Sequence, residues 1–442
     1  MYPVPENWVI DDLKIIADGS LIQAAIEIDS GKIKRIAKPS LIMRKKQVMD
    51  GRGLVALPGL IDAHVHLRDL ELSYKEDFYT GTCAAAAGGF TTVIDMPNTR
   101  PPTDSPSNLR KKIKSAQEKT IIDIAFHCLP PMNTQMIDEL ISLVAKSFKL
   151  YLSEILFEGY LHQSLPDLLT KCRLYNAPLT IHAEDRQIIE AEKGKLDNGR
   201  IRSIEDFLQV HSPQAEARCI EKIVKLTSVN EIHLCHLSSQ QSLKVLKNSK
   251  SPLTITKEVT PHHLFLNVEN LFRFRGEGLT NPPLRSAQDQ AALWDALASG
   301  DIQIIATDHA PHTLEEKHRS IVEEIPPGIP GLETCLPLLL TKVNQGYINL
   351  TDIVRLLAKN PAKIFNIRNK GELKEGFDAD ILLIDLKKKH QIEPENFFSK
   401  ARYSPFAQYH CQGSVNMTIN RGEIVYENGE IVRNKGTGKV LR

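Results

Sequence analysis

The chain has 442 residues, 42% hydrophobic and 25% charged, a balance that suits a globular protein with a barrel-sized core and a smaller second module and excludes fibrous and disordered classes. A formal net charge of +1 gives no electrostatic argument for nucleic-acid or membrane partners, and clusters such as Arg110-Lys111-Lys112 and Lys387-Lys388-Lys389 are short enough to read as solvated surface. Seven cysteines without a Cys-x-x-Cys pair, residues 1–5 without a charged start, and no apolar segment near the roughly 20 residues that span a bilayer lead to the expectation of a cytoplasmic protein.

Residues 1–53 hold short β-like runs with turn signals. The same pattern returns in 370–442, in Ala379-Asp380-Ile381-Leu382-Leu383-Ile384-Asp385 and in the run 417–426 followed by Glu427-Asn428-Gly429-Glu430. These two flanks are read as one small β-sandwich-like domain built from both ends. Between them, over 54–369, eight runs rich in Val, Ile, Leu and Thr alternate with segments of helical period, at 54–67, 91–96, 121–128, 148–152, 178–182, 231–236, 253–259 and 302–307. Eight parallel strands separated by helices close most simply into a (β/α)8 TIM-like barrel, an α/β fold. A doubly wound open sheet is the alternative, but no Gly-rich phosphate loop follows the first run.

Polar residues gather at the ends of these runs. In Asp62-Ala63-His64-Val65-His66-Leu67-Arg68-Asp69 two imidazoles stand two residues apart, so a strand would turn both to one face, where they can grip one metal ion. His182, His236 and Asp308 follow at the ends of later runs, and this spread of ligand types over several strands predicts a metal-dependent hydrolase. Asp308 can orient and deprotonate a nucleophile, or serve only as a helix cap.

Lys149 falls inside a run expected to be buried, which leaves three readings. It pairs with a carboxylate such as Glu154, or lies outside the barrel, or reacts with carbon dioxide to give a carbamate able to bridge two metals. Arg68, two residues beyond His66, suits bidentate capture of a substrate carboxylate, with Asn98 and His312 as further donors; loop scaffolding is the alternative for all three.

At these residues the chain resembles the amidohydrolase superfamily, and within it the dihydroorotases of bacteria and of the animal multifunctional pyrimidine-synthesis protein. The resemblance rests on His-Val-His-Leu-Arg at 64–68, Ala-Ala-Gly-Gly-Phe-Thr-Thr at 86–92, Met-Pro-Asn-Thr at 96–99, Thr-Pro-His-His-Leu at 260–264, Asp-His-Ala-Pro-His-Thr at 308–313 and Pro-Gly-Leu-Glu-Thr at 330–334. It implies a zinc-dependent, reversible cyclisation of N-carbamoyl-L-aspartate to L-dihydroorotate in pyrimidine synthesis. Two Zn2+ ions per subunit are implied, one held by His64, His66 and Asp308 and the other by His182 and His236, bridged by carboxylated Lys149 and a hydroxide. Asp308 would be the catalytic residue, and Arg68, Asn98 and His312 would hold the substrate carboxylate.

Asn281, in Thr280-Asn281-Pro282-Pro283-Leu284-Arg285, matches the bacterial substrate-loop pattern, and the charged, proline-rich stretch 313–331 looks like the loop that closes over substrate in relatives. Cys235 matches the animal domain, where that cysteine has been associated with an extra metal; packing as a small buried residue is its other reading. The family usually continues Glu-Pro-Gly after His-Leu-Arg, whereas this chain reads Asp69-Leu70-Glu71. A homo-oligomer is expected, with aspartate carbamoyltransferase as a candidate partner. The rival functions are a sibling cyclic amidase acting on hydantoins, dihydropyrimidines or allantoin, and a non-catalytic scaffold for aspartate carbamoyltransferase.

Overall fold

The computed structural model describes residues 7–39, 47–131, 133–154, 165–225, 231–251 and 253–442; the stretch 1–5 considered above lies outside them. Eight parallel strands follow one another in a single sheet: β1 Leu60–Val65, β2 Phe90–Asp95, β3 Asp123–Cys128, β4 Ala145–Tyr151, β5 Leu179–His182, β6 Glu231–Leu234, β7 Thr254–Val259 and β8 Ile304–Ile305. A parallel bridge between Val65 and His309, with the His66 amide donating to the His309 carbonyl at 2.7 Å, joins the last strand to the first and closes the barrel. The strands β1, β2 and β3 are buried along their whole length, as parallel strands covered on both faces must be.

Helices return the chain between strands, and their starts are capped by the residues that favour it. Asp77 accepts from the amides of Tyr79 and Thr80 ahead of Phe78–Ala87, and Ser105 accepts from Asn108 ahead of Pro106–Lys119. No described helix is long and apolar enough to cross a membrane.

The second sheet has nine strands among the described residues and draws on both flanks. Its order runs Glu430–Ile431, Glu423–Glu427, His410–Asn420, Ile381–Gln391, Val55–Pro58, Asn7–Ala17, Ser20–Asp29 and Lys32–Ala37, with Gln47–Asp50 alongside Asn7–Ala17. Val55–Pro58 is the joint between the flanks: it pairs in parallel with Asn7–Ala17 and antiparallel with Ile381–Gln391.

Three sequence expectations change here. The run 54–67 is not one strand but two, parted at Gly59, where a side chain is excluded because a Cβ would fall 2.3 Å from Thr91 Oγ1. The run 417–426 is likewise a hairpin, turning at Arg421 and Gly422, whose φ angles are 49° and 76°. Lys112 is not solvated surface: it is fully buried and pairs with the equally buried Asp95 at 2.7 Å while donating to the Met96 carbonyl. A charge run marks a helix surface only on average, and here Lys112 falls on the buried face with Pro106, Leu109 and Ala116.

Candidate metal centre and active site

The barrel delivers its polar residues to the C-terminal ends of its strands. His64 lies near the end of β1, His66 and Arg68 just beyond it, Lys149 within β4, His182 at the last position of β5, His236 two residues past β6 and Asp308 three past β8. Three of these hold left-handed backbone that a side chain disfavours, with φ of 58° at Arg68, 34° at His236 and 47° at Asp308. Each such residue costs about 1–3 kcal/mol and persists only where its surroundings hold it. One restraint is visible: the Leu67 amide, between His66 and Arg68, donates to Asp95 Oδ1 at 2.6 Å, and Asp95 is anchored by Lys112.

Asp308 Oδ1 stands 3.0 Å from His66 Nε2 and 3.3 Å from His64 Nε2, all three residues being buried. The far nitrogen of each ring is already engaged, His66 Nδ1 with Asn98 Oδ1 at 2.7 Å and His64 Nδ1 with Glu258 Oε1 at 2.8 Å. A neutral imidazole has one N–H, so a ring that donates from Nδ1 turns the lone pair of Nε2 inward. Burial lowers His66 to about 4, which keeps it neutral, and two acceptors then face one another across 3.0 Å. A cation is what that convergence calls for. In the protein alone a proton does this work on His64: burial would depress it, but Glu258 and Asp308 raise it to about 10. Burial favours the protonated form of Asp308, yet His64 and His66 hold it well below the usual carboxylate range.

His182 and His236 form a second pair, Nδ1 to Nε2 at 3.1 Å, with ring centroids 4.8 Å apart. Glu184, buried and also bound to His211, takes His182 Nε2 at 2.7 Å, which leaves His182 Nδ1 facing His236. Burial, with the charges of His182 and Lys149, pushes His236 well below the imidazole range, and its buried Nδ1 finds no partner among the described residues. The rings of His64 and His236 lie 5.3 Å apart, so the two groups form one cluster.

Lys149 is fully buried beside it, which removes the reading that places it outside the barrel. Its Nζ donates to Cys235 Sγ at 2.8 Å and lies 5.2 Å from the Tyr151 ring centre, and no carboxylate pairs with it among the described residues, Glu154 included. Ligand atoms of His64, Cys235 and Glu258 also lie within 4.8 Å of one another, so this face of the cluster could hold a cation as well.

At the mouth, Arg68 Nη2 stands 3.0 Å from His312 Nε2, and Lys75 Nζ stands 3.1 Å from His312 Nδ1. Burial and the charges of Arg68, Lys317 and Lys75 hold His312 far below its usual range, and its Nε2 also lies 3.1 Å from the Pro327 carbonyl. Asn98 is exposed and orients His66, a contact its sequence reading as a substrate donor did not include. Asn281 Oδ1 is buried and has no partner among the described residues. Asp69, where the family pattern has Glu, accepts from Ser115 at 2.6 Å and from Lys119 and the Phe78 amide at 2.9 Å, and a one-turn helix at Leu70–Leu72 follows.

The structure adds residues that sequence reasoning missed. Glu258 grips His64, His233 at 3.2 Å and the His236 amide at 3.0 Å; its only sequence signal was a carboxylate near the end of a strand run. His262 is buried close enough to Asp308 to feel its charge, and its Nε2 has no partner among the described residues. It sits in the 260–264 motif, where no role was assigned to it. Asp62 accepts from the amides of His64 at 3.1 Å and Thr307 at 3.2 Å and so ties β1 to the approach to Asp308.

Residues 55–425 match the model of the Amidohydrolase family. The chain belongs to the amidohydrolase family. Its relatives include a dihydroorotase from Methanothermobacter thermautotrophicus, 39% identical and covering 93% of each chain, and one from Methanosphaera stadtmanae, 36% identical over 97% of this chain and 98% of that one. Another, from Pyrococcus furiosus, is 37% identical over 96% and 94%. Among solved structures, the L-hydantoinase (dihydropyrimidinase) of Arthrobacter aurescens superposes with a TM-score of 0.91 at 26% identity, covering 99% of this chain and all of that one. The dihydropyrimidinase of Brevibacillus agri gives 0.90 at 25% identity and 98% coverage of both. The family is metal-dependent, and the converging acceptors and the orphaned nitrogen of His236 fit a metal site here.

Proposed function

We propose that this amidohydrolase is a dihydroorotase, interconverting N-carbamoyl-L-aspartate and L-dihydroorotate in de novo pyrimidine synthesis. The observation that carries this reading is the cationic wall beside the metal cluster. Arg68 and Lys75 flank an uncharged His312 at 3.0 and 3.1 Å. Lys75 is paired with Glu316 at 2.7 Å, whereas the buried guanidinium of Arg68, with no carboxylate partner among the described residues, can accept one from the substrate. Dihydroorotate carries that carboxylate, whereas dihydrouracil and hydantoin do not. The names of the relatives point the same way. The structural likeness to hydantoinases supports a second reading, a cyclic amidase for uncharged rings, but it comes at lower identity and leaves Arg68 without a carboxylate partner among the described residues.

In this proposal His64, His66 and Asp308 would hold one zinc ion and His182 and His236 a second, with carboxylated Lys149 as an anionic ligand to both. Zinc suits an imidazole and carboxylate donor set. When bound, the ions supply Lewis acidity and a water activated near neutral pH. Arg68 and His312, with Asn98 and Asn281, fix the substrate so that its ring amide faces Asp308. Asp308, ionised in this environment, takes the proton of the attacking water and returns it to the departing ring nitrogen. The neighbouring imidazoles and Glu258 hold that carboxylate in place through the cycle.

A cytoplasmic setting, a homo-oligomer and contact with aspartate carbamoyltransferase belong to the same reading. The test is ring opening of dihydroorotate by the zinc-loaded protein, with loss of activity on chelation and return on adding zinc; a zinc-loaded protein inert toward dihydroorotate contradicts the proposal.

A further inference from the structure

Lys317 is buried at 1% exposure in the stretch 313–331, at the end of the one-turn helix Leu314–Lys317, and no carboxylate pairs with it among the described residues. Its Nζ instead donates to three backbone carbonyls: Leu279 at 3.2 Å, Pro326 at 3.0 Å and Gly328 at 2.8 Å. In its ammonium form Lys317 has three N–H bonds, so all are used, while burial and the charge of Arg68 lower its pKa to about 7.

The three carbonyls belong to two segments, one leading to Asn281 and its unpartnered buried Oδ1, the other in contact with His312. Leu279 lies two residues before Asn281. Pro326 and Gly328 flank Pro327, whose carbonyl lies 3.1 Å from His312 Nε2. The segments also touch directly, since the Gly328 amide donates to the Leu279 carbonyl at 2.8 Å. On the other side the chain approaches too closely for a side chain: a Cβ on Gly276 would fall 1.9 Å from the Lys317 carbonyl oxygen.

We infer that Lys317 is a positioning residue for the substrate-binding side of the site. By clamping 279–281 to 326–328 it fixes Asn281 and the contact that sets the ring of His312. That fixed ring matters because His312 stands between Arg68 and Lys75, at 3.0 Å and 3.1 Å. The inference rests on the dihydroorotase reading for what is bound, but not for whether the clamp exists.

Two measurements on the zinc-loaded full chain separate these. Lys317→Met removes all three donors, and Lys317→Gln restores some of them without charge. The clamp predicts that in Lys317→Met the Gly328 amide and those of 279–281 exchange hydrogen at least about tenfold faster, with metal content unchanged. It predicts that KM for dihydroorotate rises about tenfold or more while kcat moves far less, and that Lys317→Gln recovers part of both. Unchanged exchange, or a fall in kcat and metal content with KM constant, overturns it. Should Lys317→Met fail to fold, Lys317→Gln against wild type carries the same comparison, and no change in exchange or KM refutes the clamp. A wild-type protein inactive on dihydroorotate defeats the functional reading instead, and the exchange data still decide the role of Lys317.

Discussion

Glu258 Oε1 lies 2.8 Å from His64 Nδ1, deep in the barrel, and the same carboxylate reaches His233 and the His236 amide. Burial disfavours its charge, yet His64 and His233 hold it well below the carboxylate range, so it stays ionised and fixes which nitrogen of His64 faces Asp308. Replacing Glu258 with Gln should therefore weaken metal binding by about 10- to 100-fold without unfolding the protein. Competition with a chelator measures this directly; an unaltered affinity would show that His64 is oriented by something else.

Asp308 is both a proposed ligand and the proposed proton carrier. Asp308→Asn preserves shape and one acceptor oxygen but cannot take up a proton, and turnover should fall by about 10²–10⁴-fold even at saturating zinc. Substantial activity in a folded, metal-replete variant would remove Asp308 from proton transfer.

Arg68→Lys keeps the charge and loses the planar fork, so KM for dihydroorotate should rise by about tenfold or more while hydrolysis of an uncharged ring is unaffected. Equal effects on both substrates would show that Arg68 shapes the loop rather than holding the carboxylate.

How much of this was readable from the chain follows from what each residue type can signal. The barrel was legible because parallel strands covered on both faces are mostly apolar, as the Val93-Ile94 and Ile124-Ala125-Phe126 centres of the runs containing β2 and β3 are. His64, His66, His182, His236 and Asp308 were legible because imidazoles at the ends of such runs have few structural reasons to recur. Glu258, Lys112 and Lys317 were not. Each sits in a charged context, Thr256-Lys257-Glu258, Arg110-Lys111-Lys112 and Glu315-Glu316-Lys317, and only the fold decides which charge of each group turns inward. The split at Gly59 was equally hidden, since it depends on how closely Thr91 approaches.

Lys149, buried beside Cys235 without a carboxylate partner among the described residues, should take up carbon dioxide before it can serve two metals. Metal-free protein reloaded with zinc in buffer stripped of carbon dioxide should bind less metal and regain less activity than protein reloaded with bicarbonate. Identical uptake in both would argue for an unmodified lysine.

Glu333 supplies a stability test away from the metal cluster. Burial raises its carboxyl to about 7, against the amides of Phe398 and Ser399 that donate to it. A raised carboxyl binds its proton more tightly in the folded state, so between the unfolded and folded values stability falls as pH rises, and above about 7 the full cost of the buried charge is present. Glu333→Gln removes that titration. Its melting temperature relative to wild type should therefore improve as pH is raised from about 4.5 to about 7.5, and a difference independent of pH would contradict the assignment.

The most direct test of the account sets dihydroorotate, dihydrouracil, hydantoin and allantoin side by side as substrates for the zinc-loaded protein. Strong preference for dihydroorotate is the predicted result, because only that ring offers a carboxylate to Arg68 and His312. Equal or greater turnover of an uncharged ring would keep the metal chemistry and contradict the carboxylate clamp on which the functional reading stands.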